Sequence, residues 1–79
     1  MNVTIRYFAV LKEKAGLASE SWQTEAITAA DLYRELRERY RFPLDEKHVK
    51  LALNREYREL SSALREGDEV VFIPPVSGG

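Results

Sequence analysis

Val70-Val71-Phe72-Ile73 runs directly into Pro74-Pro75. Consecutive β-branched and aromatic residues predict a strand. The prolines stop it, because proline has no N–H to give to a ladder. Its counterpart lies at the other end of the chain. Val3, Ile5 and Tyr7 alternate with Thr4, Arg6 and Phe8, a period of two with one buried face. These are the two most apolar strands of the chain and therefore the candidates for the sheet centre. Parity assigns their faces. If Val3, Ile5, Tyr7, Val70 and Phe72 point at the core, then Phe8, Val71 and Ile73 point the opposite way.

Between the two strands the pattern changes. Ala9 to Ala15 reads as a short helix closed by Gly16 as a C-cap. Glu20 to Glu25 alternates weakly and predicts a second strand, antiparallel to the first. Thr28 followed by Asp31 resembles a capping box, and Leu32, Tyr33, Leu36 and Tyr40 follow at helical spacing. Glu35 and Arg39 form an i,i+4 pair in the favourable order. Pro43 closes this helix. Lys50 to Asn54 predicts a third strand, Asn54-Arg55-Glu56 a turn, and Tyr57 the centre of a short strand. Ser61 to Leu64 is expected to form one helical turn, and Glu66 to Glu69 a second turn. A central parallel pair with one amphipathic helix packed across a mixed sheet is the β-grasp arrangement, of the α+β class. Residues 1–75 form the domain and 76–79 a flexible tail.

Composition restricts the chemistry. The chain has 79 residues, no Cys and one His, with 12 basic and 13 acidic side chains for a net charge of -1. Thiolate zinc sites, disulfides and cysteine nucleophiles are ruled out together. No basic field exists to hold nucleic acid. No apolar run spans a membrane and no signal-peptide h-region is present, so a cytoplasmic domain is expected. Glu66, Asp68 and Glu69 are expected in a solvated turn, not at a metal site. His48 is expected at the surface. Arg34, Arg37, Arg39 and Arg41 interleave with Glu35 and Glu38 as a solvated helix face. Trp22 is assigned to packing.

What remains is Val76-Ser77-Gly78-Gly79. Glycines lack a Cβ and can thread a narrow channel. The rigid Pro74-Pro75 would aim such an arm away from the sheet. The bland alternative is an ordinary frayed terminus. A carboxylate at Gly79 is a poor electrophile until activated, most simply as an acyl-adenylate. Attack by a sulfur donor would leave a thiocarboxylate, whereas attack by an amine or thiol would make a conjugate. The residues allow all three. The ATP site would lie on another protein.

At these residues the chain resembles the MoaD family of sulfur carriers, small subunits of molybdopterin synthase. Phe8-Ala9-Val10-Leu11-Lys12-Glu13-Lys14-Ala15-Gly16 is similar to the family's opening, Leu53-Asn54 to a strand end, and Gly67 to Gly79 to its ending. Tyr7, Ile73 and Ser77 depart from it, standing for Phe, Phe and Thr. The resemblance implies a β-grasp fold and a non-catalytic, sulfur-donating subunit without an active site, metal or cofactor of its own. A MoeB-like enzyme would adenylate Gly79 with ATP and magnesium, and a sulfur donor protein would complete the thiocarboxylate. The tail, with Gly78 and Gly79 at its tip, would enter a MoaE-like large subunit. There the sulfur would pass to cyclic pyranopterin monophosphate to build the dithiolene. A heterotetramer is implied. So is an apolar patch at Phe8, Tyr57 and Ile73, with Pro74, Pro75, Val76 and Ser77 also meeting the partner. Two other readings stand beside it: a ThiS-like carrier or ubiquitin-related modifier, and a plain interaction domain.

Overall fold

The computed structural model describes residues 1–75. β1 (Asn2–Arg6) leads into α1 (Ala9–Ala15) and β2 (Ser19–Gln23). α2 (Ala29–Tyr40) follows, then a 3-10 turn over Glu46–His48, β3 (Lys50–Leu53), β4 (Glu56–Arg58) and β5 (Glu69–Ile73). The sheet order is β2-β1-β5-β3-β4. The two apolar strands meet in parallel, with Ile5 opposite Val70 and Arg6 opposite Val71. The remaining pairs, β1 with β2, β3 with β5 and β3 with β4, are antiparallel. β5 therefore lies at the centre.

α2 covers one face of this sheet. Leu32, Tyr33 and Leu36 are fully buried, as are Ile5, Val70 and Phe72. Burial of a large apolar side chain contributes about 1.5–3 kcal/mol relative to leaving it in water. Tyr33 and Phe72 meet edge to face at 5.0 Å. The Tyr33 hydroxyl donates to the Leu44 carbonyl at 2.7 Å. Gly16 caps α1 at φ 79°, and its N–H donates to the Lys12 carbonyl. At α2 half of the capping box forms: the Asp31 N–H donates to Thr28 Oγ1 at 3.2 Å. Asp31 turns its own carboxylate to Arg34 at 3.1 Å.

Four local expectations change. Ser61 to Leu64 is not helical. It turns at Leu60–Ser61, then bridges to Thr28 through Ala63. The first N–H groups of α2 have no partner within the helix, and this segment supplies them. Ala29 donates to the Ser62 carbonyl at 3.0 Å and Ala30 to that of Leu60 at 2.8 Å. Glu35 does not pair with Arg39. It accepts from Trp22 Nε1 at 2.8 Å and Thr24 Oγ1 at 3.0 Å, tying α2 to the end of β2. β2 accordingly stops at Gln23, and Thr24 turns inward. Asp68 is buried, not solvated. It accepts from Asn54 Nδ2 at 2.9 Å and from the Arg65 N–H at 2.7 Å.

Candidate functional site

The sheet face opposite α2 is built by the outward residues of each strand. On β1 they are Asn2, Thr4 and Arg6, all exposed, with Phe8 continuing the alternation. β2 adds Ser19, Ser21 and Gln23, so this half is polar. The other half carries the apolar groups, with Glu69 and Lys50 beside them. Cross-strand pairing sets Arg6 beside Val71, Val71 beside Ala52, and Ala52 beside Tyr57. One row therefore crosses the sheet from β1 to its edge at β4. A second row begins at Ile73, paired with Lys50. Extending the parallel register by two residues brings Phe8 level with Ile73.

Phe8 is 50% exposed and Tyr57 80% exposed. Large apolar groups in water on one face of a small domain mark an interaction surface. Ile73 shares that face but is only half-buried there, because β1 and β3 flank it. Pro74 is half-buried and Pro75 exposed, directly after the end of β5 at Ile73. The structure thus joins Phe8, Ile73 and Pro74-Pro75 at one end of β5. Tyr57 stands two strands away, across the low floor made by Ala52. Ala52 and Lys50 are the members of this face that motif reading passed over. The same two-residue parity that marked Phe8 would have found them. Val76, Ser77, Gly78 and Gly79 lie outside the described residues.

The hairpin that carries Tyr57 is aimed by two left-handed residues, Asn54 at φ 52° and Arg55 at φ 70°. Such a pair makes a tight two-residue connection between strands. Asn54 is braced: its side chain accepts the Glu69 N–H at 2.9 Å while donating to Asp68. Glu69 in turn lies between Arg6 at 3.7 Å and Arg55 at 3.5 Å. Exposed pairs of this kind are each worth at most about 1 kcal/mol. Beyond Tyr57 the edge borders an open groove of about 800 Å³ lined by Lys47, Lys50 and Arg58 among others.

The displaced ionisations lie on the helix side. Burial, then the Glu20 carboxylate, pushes the Tyr7 hydroxyl well above its ordinary range, and the same causes in the same order raise Tyr40. Both hydroxyls donate to Glu20 Oε2 at 2.6 Å. Among the described residues no group of three or more His, Asp or Glu is placed to hold a metal ion, and no helix there is long and apolar enough to cross a membrane. The open face offers shape and apolar contact, which suits docking rather than bond-making.

The ThiS family profile matches residues 5–79. The chain belongs to the ThiS family. This ThiS-family chain is 35% identical to the human molybdopterin synthase sulfur carrier subunit, over 99% of its own length and 94% of the relative's. Its fold matches SAMP1 of Haloferax volcanii, a small archaeal modifier protein, with TM-score 0.78 and 27% identity over all of both chains. It also matches a chain in the complex of subunits 1 and 2 of the molybdopterin-converting factor of Helicobacter pylori, with TM-score 0.68 and 28% identity over all of both chains. The ThiS-family chain is a β-grasp protein like these neighbours.

Proposed function

We propose that this protein is the sulfur carrier of a molybdopterin synthase, with Gly79 as the loaded residue. The observation that carries the reading is one of placement. Phe8 is exposed at the end of the sheet where β5 runs into Pro74-Pro75 and, in sequence, to Gly78-Gly79. A partner seated on the open face would receive whatever follows Pro75. The match to relatives named as sulfur carrier subunits supports the reading.

The chemistry follows from the carboxylate. A Gly79 oxygen attacks the α-phosphorus of ATP on a MoeB-like enzyme, with magnesium, and pyrophosphate leaves. A donor delivering sulfur at the sulfide level attacks the acyl carbon and AMP leaves, giving the thiocarboxylate. On a MoaE-like large subunit that sulfur is donated to cyclic pyranopterin monophosphate. Once the sulfur is bonded to the pterin, water cleaves the acyl–sulfur bond, so the carrier returns as a carboxylate and must be reloaded. In this scheme the present chain supplies the docking face and the acyl group, and its partners supply the catalytic side chains. Cytoplasmic location and a heterotetramer belong to the same proposal.

Intact mass after incubation with ATP, magnesium, the adenylating enzyme and sulfide is the direct test. An oxygen-to-sulfur shift is expected, and deletion of Gly79 removes both the shift and pterin sulfuration. Sulfuration that survives the deletion would overturn the assignment. The likeness to SAMP1 favours one second reading, a protein modifier. Recovery of conjugates linked from Gly79 to lysine would select it.

A further inference from the structure

Ala9 opens α1 in the left-handed region, at φ 49°. Glycine and asparagine are the ordinary occupants of that conformation, and alanine is strained there. The Ala9 side chain is exposed, so no packing contact demands a methyl group. The chain on either side is pinned. Tyr7 is buried, and its N–H donates to the Ala18 carbonyl at 2.8 Å. Leu11 is fully buried. Phe8 is extended, at φ -137° and ψ 155°. Its carbonyl accepts the N–H groups of Leu11 at 3.1 Å and Lys12 at 3.3 Å. Only Phe8, Ala9 and Val10 connect the last buried residue of the strand path to the first of the helix. One left-handed residue makes the turn, and the residue before it faces outward on the open face.

Strain retained directly beside the exposed Phe8, in the three-residue link between two buried positions, points to a use for it. We infer that Ala9 is a positioning residue for docking: its left-handed backbone, narrowed by a Cβ, holds Phe8 toward the open face. The inference rests on the docking role proposed above, since Ala9 acts through Phe8. Glycine at position 9 would relieve the strain but widen the accessible backbone. Docking would then have to order that backbone at the cost of affinity. Stability and affinity should therefore move in opposite directions, which a purely structural role does not produce.

The test uses Ala9→Gly, Phe8→Ala and the double variant. Each is melted alone and titrated with the large subunit. Ala9→Gly is expected to melt at or above the unsubstituted carrier, yet bind about threefold to tenfold more weakly. In the Phe8→Ala background the glycine should change affinity by less than about twofold. A chemically assembled chain with D-alanine at position 9, which prefers the left-handed region and restricts the backbone there, should restore binding. Backbone ¹⁵N relaxation of the free carrier should show lower order at Phe8 in Ala9→Gly. Unchanged affinity in Ala9→Gly, or a loss that persists without Phe8, would overturn the inference. If Phe8→Ala itself binds normally, the docking role of Phe8 fails, and relaxation alone decides: unchanged order at Phe8 refutes the positioning role, and lowered order supports it.

Discussion

Asp68 shares an acidic stretch with Glu66 and Glu69, yet it is the buried one. Its two oxygens hold Asn54 and the Arg65 N–H, so it braces the turn before β5 against the hairpin between β3 and β4. Asp68→Ala leaves both donors without their acceptor and is expected to destabilise the domain by about 1–3 kcal/mol. A urea midpoint that does not move, at constant m-value, would contradict this. Arg55 offers the reverse case. It occupies the second left-handed position of the two-residue turn, where glycine is favoured. Arg55→Gly should stabilise by about 0.5–1 kcal/mol and raise the melting temperature by a few degrees. The lost contact with Glu69 is exposed and offsets little of this. The turn at Asn54-Arg55 was legible beforehand, but the role of Asp68 was not. A carboxylate that braces and one that is solvated look alike in a string of letters.

At the scale of elements, the long helix and the first and last strands followed from periodicity and apolar content, and the turns at Asn54-Arg55 and Glu66-Gly67 from their composition, while other connecting segments did not. The 3-10 turn over Glu46–His48 is one example. Asp45 caps it, accepting the Lys47 N–H at 3.2 Å. That hydrogen bond, helped by the nearby Arg37, holds the Asp45 carboxyl below its usual range. A carboxyl held low in the folded state stabilises it at pH above the unfolded value of 3.8, and this contribution drains away as pH falls through the folded value. Asp45→Asn keeps a capping oxygen without the titration. Its melting temperature should therefore fall less steeply on acidification than that of the unsubstituted protein. Parallel pH profiles would count against the assignment. The failure of the expected turn at Ser61 to Leu64 has the same origin. Local composition allows a helical turn, but the unpaired N–H groups of α2 require carbonyls there.

For the whole molecule, the core is ringed by tyrosines. Tyr7, Tyr33 and Tyr40 donate their hydroxyls to Glu20 or to the Leu44 carbonyl. Burial, as the first cause, pushes Tyr33 up to about 12 and raises the other two. A raised folded value means the stabilisation is complete below the unfolded value of 10.0 and is lost as pH climbs toward the folded one. Cooperative alkaline unfolding is expected above about pH 10, coincident with tyrosinate absorbance. Tyrosinate appearing well before the loss of circular dichroism would show these hydroxyls to be unconstrained. On the opposite side of the sheet, Phe8, Ile73 and Tyr57 do share the open face, but β3 separates Tyr57 from Ile73. The sequence resemblance could name the three residues; it did not contain the spacing between them. By itself the chain determined the identity of its strands, the parity of β1 and β5 and the amphipathic face of α2. These depend on residues close together along the chain, where backbone period and side-chain volume act locally. Only the tertiary structure decided that Glu35 turns to Trp22 and Thr24, that Asp68 is a brace, and that Val71, Ala52 and Tyr57 form one row. Those outcomes need partners far apart in sequence, which become neighbours only through the order of strands in the sheet.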